Sequence, residues 1–315
     1  MKKLTKIMSI ATLAASPLLV SAPAAAEYPE RPVKFVVPWP AGDLEDILTR
    51  IIAEKMAEDT GTPATVVNKP GGGGIVGALD VSKSRPDGLT IGSFVADILT
   101  THIHSGNAPY DETTFEPVGI FLDYPFVIAT KADSPYNNLE ELAKYSQSND
   151  VSLGHYGYQA LPTAITFKAA AQEGIKISSD SAFDMINCST LSTGDADIIN
   201  TTTQTILSCL QSGEVKILSA ITRDRLSIAP EAPTLAEETG ITQTLWNGLF
   251  VKKGTPEAIK SRIAEIAQEA LQSERAQEIS NTTGAGIFWI GEKASEELVS
   301  QDFESSKGLM EFINK

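Results

Sequence analysis

Near the start of the chain, apolar runs typical of β-strands alternate with apolar positions at helical spacing. Residues 33–37 form an apolar, β-branched run that ends at Pro38, and residues 46–56 carry apolar side chains at helical spacing. The same alternation predicts a strand, a helix and a strand at residues 65–67, 75–83 and 89–95. This order, with its short connections, predicts parallel strands joined by right-handed crossovers.

The rest of the chain repeats this pattern. Apolar runs predict strands at residues 118–130, 151–153, 197–200, 216–221 and 245–251. Helical spacing predicts helices at residues 138–146, 162–171, 256–271 and 294–313. We expect Asn138 to cap the first of these helices, and Thr255 to cap the third, with Pro256 at its first position.

The strands and helices predict an α/β protein of two lobes. Because no low-complexity linker separates the halves, we expect the crossings between lobes to lie at residues 118–130 and 245–251. Lobe 1 is then residues 27–126 plus 251–315, and lobe 2 is residues 127–250. Ligands of open α/β sheets bind at the carboxyl ends of the strands, so the cleft between the lobes is the predicted ligand site.

The first residues carry the pattern of an export signal. Three lysines within residues 2–6 precede an apolar stretch at 7–20 and a run of small residues that ends at Ala26. Prolines interrupt the stretch well short of the ~20 residues that a membrane span needs. We therefore predict that residues 1–26 are a signal peptide cleaved after Ala26, which delivers the protein to the periplasm.

Composition and charge argue against a nucleic-acid-binding protein. The chain has 25 basic and 40 acidic residues, and removal of three lysines with residues 1–26 leaves 22 basic residues and a balance of -18. Such an acidic chain is not suited to nucleic acid as its main partner, since phosphate backbones require clustered lysine and arginine. Export permits a disulfide between Cys188 and Cys209, and two free buried thiols are the alternative.

Two motifs have competing interpretations. Residues 72–77 match the dinucleotide fingerprint G-x-G-x-x-G, with Asp97 downstream, but they lie on the second turn and an exported protein meets little free cofactor. A turn that lets backbones pack closely is the favoured alternative. His102 and His104 lack a third metal ligand at a recognisable spacing. The sequence therefore predicts no cofactor, no metal and no catalytic residue.

The loop at residues 38–46 is the most informative segment. It joins the first strand to the first helix, and it contains Ala41 and Gly42, which let a ligand approach the backbone. A helix amino end carries roughly half a positive charge and suits a carboxylate. The alternative is a plain capped turn with Asp43 or Asp46 as the cap, and the spacing alone does not decide between them.

Several segments together resemble one known family. They are residues 28–33, 36–42, Asp46, Arg50, 67–74, 86–90, 110–111, 115–118, Arg225, 232–234, 246–250 and 254–256. In order and spacing they resemble the extracytoplasmic solute-binding proteins of tripartite tricarboxylate transporters, the TctC or Bug family. The resemblance implies a type II-like, Venus-flytrap binding protein of the periplasm that is not an enzyme and needs no cofactor.

The resemblance also implies which residues meet the ligand. Two loops hold carboxylates in this family, and they match residues 39–43 and 157–160 here. The candidate ligand residues are Trp39, Ala41, Gly42, Asp43, Asp97, Gly157, Tyr158, Gln159, Ala160, Thr163 and Asn200. Asp43 departs from the family, which has a glycine at that place, and like charges at ~4 Å repel by about 4 kcal/mol. Either Asp43 caps its helix, or the ligand presents an ammonium or hydroxyl group there.

The expected function is capture of a small organic acid by lobe closure. The expected partners are the acid and the permease subunits of a tripartite transporter, with the protein itself a monomer and nucleic acid not involved. A sensor-kinase ectodomain is an alternative partner. A periplasmic enzyme that uses Asp43, Asp46 and Asp97 is the alternative from another class.

Overall fold

The computed structural model describes residues 28–313. The predicted signal peptide and its cleavage site lie outside this range. Within it, no helix is long and apolar enough to cross a bilayer. The described chain forms two mixed β-sheets covered by helices, as the sequence predicts for an α/β protein.

The first sheet has six strands, with parallel strands on one side and antiparallel strands on the other. In chain order its strands are β1 (Val33–Val37), β2 (Ala64–Asn68), β3 (Thr90–Val95), β4 (Phe115–Asp123), β10 (Trp246–Lys252) and β11 (Gly286–Gly291). Their order across the sheet is β11-β4-β10-β3-β1-β2. β1 pairs in parallel with β2 and β3, so all three carboxyl ends lie at one edge. β10 pairs antiparallel with β3 and β4.

The second sheet has five strands. They are β5 (Phe126–Lys131), β6 (Ser152–His155), β7 (Ser179–Ala182), β8 (Ile198–Thr202) and β9 (Val215–Ile221). Their order is β7-β6-β8-β5-β9, and β6 runs parallel to both β7 and β8. The carboxyl ends of β6 and β8 are therefore neighbours, and the loops that follow them form one surface.

Twelve α-helices connect the strands of the described chain. They are α1 (Leu44–Thr60), α2 (Ile75–Ser82), α3 (Ala96–Leu99), α4 (Thr101–His104), α5 (Leu139–Tyr145), α6 (Leu161–Glu173), α7 (Cys188–Ser192), α8 (Leu207–Gln211), α9 (Leu235–Thr239), α10 (Glu257–Leu271), α11 (Glu274–Thr283) and α12 (Glu292–Ile313). A 3-10 turn at Gly72–Gly74 precedes α2. α12 packs against both β4 and α6, so it contacts a strand of the first sheet and a helix that covers the second.

The predicted cap residue is correct for α5 and wrong for α10. The Asn138 side chain accepts a hydrogen bond from the Glu141 N–H, as predicted for a cap. The prediction for α10 is wrong by one residue, because Pro256 has an extended ψ of 139° and itself takes the cap position. Thr255 instead donates its hydroxyl proton to the Lys252 carbonyl oxygen at 2.7 Å.

The apolar face of α1 shows how the first sheet is covered. Leu48, Ile52 and Met56 recur at intervals of four and are fully buried against the sheet. Each such side chain contributes about 1.5–3 kcal/mol on burial. The helix ends at Gly61, whose φ of 65° is the left-handed conformation that glycine adopts without strain.

The chain passes between the sheets twice. It leaves the first sheet after β4 and enters β5 across only Tyr124 and Pro125, within the segment expected from the sequence. It returns before β10, and the expected boundary at residues 250 and 251 falls inside that strand. Because the whole of β10 pairs with β3 and β4, we propose that lobe 1 resumes at Trp246. Cys188 and Cys209 form a disulfide that joins α7 to α8.

Candidate ligand-binding cleft

The loop between β1 and α1 is held by a single carboxylate. Asp46 accepts hydrogen bonds from the Gly42 N–H at 2.9 Å, from Arg50 at 3.0 and 2.9 Å, and from Asn68 Nδ2 at 2.8 Å. Burial opposes ionisation of Asp46, but these donors prevail and hold the pKa of its carboxyl below the usual value. Because Asp46 occupies the Gly42 amide, that predicted ligand donor already has a partner in the protein.

Asp43 stands at the cap position of α1 without capping it. Within the described chain, its side chain accepts no hydrogen bond from the first turn. Burial, and then the charge of Asp46, raise the pKa of the Asp43 carboxyl. The charge of Asp43 also adds to the burial that raises the pKa of Tyr156 to about 12. Tyr156 follows β6, so the Asp43 carboxyl lies within electrostatic reach of the second sheet.

Asp97 connects the two sheets at the start of α6. It follows β3 of the first sheet, and its Oδ2 accepts a hydrogen bond at 3.0 Å from the backbone N–H of Leu161 in α6. Only 5% of Asp97 is exposed. Burial raises the pKa of its carboxyl, while the neighbouring His102 and the Leu161 N–H lower it.

A second contact between the sheets involves the loop after β8. Gln204 donates from Nε2 to the Gly42 carbonyl oxygen at 2.9 Å. The hydroxyl of Thr203 donates to the Thr283 carbonyl oxygen, which lies before β11 of the first sheet. The loops after β1, β3, β6 and β8 therefore meet at one junction, which we call the cleft.

Four predicted ligand residues carry buried polar atoms without partners. Among residues 28–313, these atoms are Trp39 Nε1, Asp97 Oδ1, Thr163 Oγ1 and Asn200 Oδ1. A buried polar group without a partner costs about 1–3 kcal/mol, so native proteins rarely leave several together. Asn247 Oδ1 on β10 is in the same condition and was not predicted. Asp97 and Asn200 hydrogen-bond to Leu161 and Thr166 of α6, and Thr163 lies in the first turn of that helix. Three of these atoms therefore belong to residues in or bonded to the first half of one helix, while six further atoms without partners belong to other residues of the described chain.

The loop at residues 157–160 is organised by an interaction that the sequence did not reveal. The buried His155 accepts the Gly157 N–H at Nδ1 and contacts Asp180 through Nε2, at 2.9 Å each. The Tyr158 hydroxyl donates to the same Asp180 oxygen at 2.6 Å, and its ring stacks on Phe167. These contacts hold Tyr158 at the edge strand β7 with half of its surface exposed.

The remaining candidates of the two loops have simpler surroundings. Ala41 and Gln159 are exposed, and Ala160 is half-buried at the cap position of α6. Ala160 cannot cap through its side chain, and the Asp97 carboxylate of the first sheet accepts the first N–H of α6 in its place. The structure thus brings Trp39, Asp97 and the α6 amino end to the cleft, while Tyr158 is held by residues of its own sheet.

The glycine-rich segment serves packing between α2 and β1. A Cβ on Gly77 would lie 2.7 Å from Pro38 Cβ and 2.9 Å from its Cα, so only glycine allows this approach. His102 packs against Gly73 in the same way and lies on the short helix α4. In the described part of the chain, no group of three or more His, Cys, Asp or Glu is placed to hold a metal ion.

The fold and the cleft define a class of protein. Two α/β sheets, joined by two crossings and facing each other through loops at their strand ends, form the two-lobed architecture of periplasmic binding proteins, as predicted. The chain belongs to the family described as the tripartite tricarboxylate transporter family receptor, whose sequence model matches residues 48–314. This confirms the resemblance found in the sequence. Members of the family are periplasmic solute-binding proteins, and such proteins are not enzymes.

Individual relatives agree in sequence and in structure. A UPF0065 protein from the tcbD-tcbE intergenic region of Pseudomonas sp. strain P51 is 30% identical over 254 residues, which cover 76% of this chain and 74% of the relative. The solved periplasmic binding protein BugD is 28% identical, with coverage of 91% and 99% and a TM-score of 0.76. MatC from Rhodopseudomonas palustris, solved with bound malate, shares the fold at 23% identity, with coverage of 90% and 100% and a TM-score of 0.77.

Proposed function

We propose that this protein captures a small organic acid in the periplasm and delivers it to the membrane permease subunits of a tripartite transporter. One observation carries the proposal. Asp97, Thr163 and Asn200 lie in or hydrogen-bond to the first half of α6, and each has a buried polar atom without a partner within residues 28–313. Membership of the receptor family, and the malate held by MatC, support an organic acid as the ligand class.

Capture follows from closure of the two sheets on the ligand. Asp97 and Gln204 reach from one sheet to the other, and each contact exists only when the sheets are close. A ligand that forms hydrogen bonds with the unpartnered polar atoms of both sheets binds the closed state more tightly than the open state. That difference in affinity shifts the population toward closure. The closed molecule then presents one shape to the permease, and no covalent step is involved.

The proposed ligand residues offer specific hydrogen-bond donors. Trp39 offers an indole N–H, and Thr163 offers a hydroxyl in the first turn of α6. The amino end of α6 adds a favourable field for negative charge, and Asp97 accepts its Leu161 N–H. We propose that these donors hold a carboxylate of the ligand.

The experiment is to purify the protein from the periplasm and to identify what copurifies, using native mass spectrometry. We expect to recover an unchanged organic acid. Adding this acid to ligand-free protein at 100 times its Kd should raise the free energy of unfolding by about 2.7 kcal/mol through mass action, and the melting temperature should rise with it. Recovery of a chemically converted product would indicate an enzyme. Uptake of the acid by cells lacking the protein tests delivery, and unaltered uptake would favour a sensory role.

A further inference from the structure

A surface groove lies at the amino ends of β1 and β3. It is bounded by the entries to these two strands and by the carboxyl end of α2, and its volume is about 610 Å³. The strands are parallel and their carboxyl ends lead to the cleft, so the groove and the cleft lie at opposite ends of the same strands. Its volume falls in the range of sites that hold drug-sized ligands, and it is far larger than a single oxyanion requires.

Two carboxylates hold three basic side chains at this groove. Asp80 Oδ2 lies 2.8 Å from Lys34 Nζ and 3.0 Å from Lys69 Nζ, and Asp87 Oδ2 lies 3.1 Å from a terminal nitrogen of Arg31. Burial opposes ionisation of Asp80, but the hydrogen bonds from the two lysines outweigh it and lower the pKa of the carboxyl. Asp80 therefore stays charged, and because it faces two lysines it cannot neutralise both.

Lys83 and Arg85 add positive charge to the same groove. Both side chains line it and are exposed, and neither forms an ion pair within residues 28–313. The groove thus has five basic and two acidic side chains, a local balance of +3, in a mature chain whose balance is -18. Because a concave surface focuses the field of its charges, this groove attracts anions that the rest of the chain repels.

Shape and charge favour an acidic peptide segment as the occupant. An extended chain fits into a groove, and its carboxylates can pair with Lys83 and, in two-bond geometry, with Arg85. A bilayer of anionic lipids is flat, and it repels a protein that carries a balance of -18. Residues 1–26 of this chain do not match the groove, since their charged residues are three lysines.

We propose that the groove docks an acidic segment of a partner protein, and that it does so in the open and closed states alike. Every residue of the groove lies within residues 31–90, which belong to lobe 1, so closure of the lobes does not change its geometry. A partner with equal affinity for two states does not shift the equilibrium between them. The groove therefore tethers the protein to its partner whether or not the cleft holds a ligand. This role is separate from ligand capture, and its failure leaves the proposed function standing.

The test measures binding of a labelled hexaglutamate peptide to the mature protein by fluorescence anisotropy, with hexaserine as the uncharged peptide. We expect hexaglutamate to bind at least about tenfold more tightly than hexaserine at low salt. Salt at about 0.2 M should weaken this binding, because the screening length falls below about 10 Å. Equal affinity for the two peptides, or no binding of hexaglutamate at millimolar concentration, overturns the proposal.

A pair of matched double variants assigns the binding to the groove. Lys83→Gln with Arg85→Gln removes its two unpaired cations, and we expect hexaglutamate to bind about 3- to 30-fold more weakly. Lys176→Gln with Lys307→Gln is the control, since these exposed lysines lie away from the groove and form no ion pair in the described chain. Equal weakening in both double variants, or none in either, contradicts the assignment. Melting curves of both establish that they are folded.

Three more measurements test the remaining parts of the proposal. Gln204→Ala, which removes a contact between the lobes, should bind hexaglutamate as the unaltered protein does, and a change beyond about threefold would refute independence from closure. Cosedimentation with phosphatidylglycerol vesicles that is lost in the groove variant would identify a lipid surface as the occupant. Self-association at low salt that is lost in the same variant would identify a second copy of this chain. Either of these last two results overturns docking of an acidic partner protein.

Discussion

Replacement of Glu45 by glutamine should stabilise the protein at alkaline pH. Glu45 lies in the first turn of α1 with 1% of its surface exposed, and the hydroxyl of Tyr124 donates a hydrogen bond to its carboxyl. Burial, reinforced by the charge of Asp43, raises the pKa of Glu45 from 4.5 to about 8, and the Tyr124 hydrogen bond opposes part of this change. The folded protein therefore holds a proton that the unfolded chain has released at neutral pH.

The sign of the effect follows from proton linkage. Between pH 4.5 and about 8 the folded state binds more protons at Glu45 than the unfolded state does, so the free energy of unfolding falls as pH rises. The contribution is fully present below the unfolded value and is lost by the folded value. At 1.36 kcal/mol per pH unit, the whole interval corresponds to roughly 5 kcal/mol at most. Glutamine has the same shape, accepts from Tyr124 and never ionises.

The assay is urea unfolding of Glu45→Gln and of the unaltered protein at pH 5, 7 and 9. We expect the variant to gain stability relative to the unaltered protein as pH rises, reaching roughly 2–5 kcal/mol at pH 9. Glu58→Gln serves as the control, because Glu58 is an exposed glutamate on the same helix. A difference between variant and unaltered protein that stays constant with pH would refute the reasoning.

Three further predictions concern the scaffold and closure. Replacing Cys188 and Cys209 by serine should lower the free energy of unfolding by about 3 kcal/mol, since the bond spans 21 residues; reductant should reproduce the loss only in the unaltered protein during urea unfolding. Gln204→Ala removes the donor to the cleft loop and should weaken binding of the copurified acid about two- to tenfold by calorimetry; unchanged affinity would exclude this contact from the closed state. Gly77→Ala should lower stability by about 1–3 kcal/mol, because its Cβ would lie 2.7 Å from that of Pro38, and an unaltered melting temperature would contradict the close packing.

The elements that periodicity predicts best are those with a long apolar face. Strand β1 has the predicted bounds, and α6 extends the predicted helix by a residue or two at each end. The short helices α3, α4, α7, α8 and α9 escaped prediction, because four or five residues make little more than one turn and the apolar pattern has no room to repeat. Local capping was predicted correctly at Asn138 and one residue too early at α10, where the fixed ring of Pro256 stands outside the helix.

The cleft was predictable in part. Trp39, Asp97, Thr163 and Asn200 were selected from the sequence and the family resemblance, and each has a buried polar atom without a partner in the described chain. The contact of Gln204 with Gly42 joins residues 162 positions apart, and no local pattern encodes such a pair. The same holds for the fixing of Tyr158 by Asp180 on the neighbouring strand.

The amino-acid sequence by itself determined the α/β class, the positions of most strands and of the longer helices, and the family, because apolar periodicity, turn residues and motif spacing are local properties of the chain. Only the tertiary structure decided that Asp46 rather than a ligand takes the Gly42 amide, that Asp43 leaves its helix uncapped, and that Asp97 spans the two sheets. Those outcomes depend on which loops the packing of two sheets brings together. Hydrogen bonds of this kind form only between groups that the fold has already placed within about 3 Å of each other.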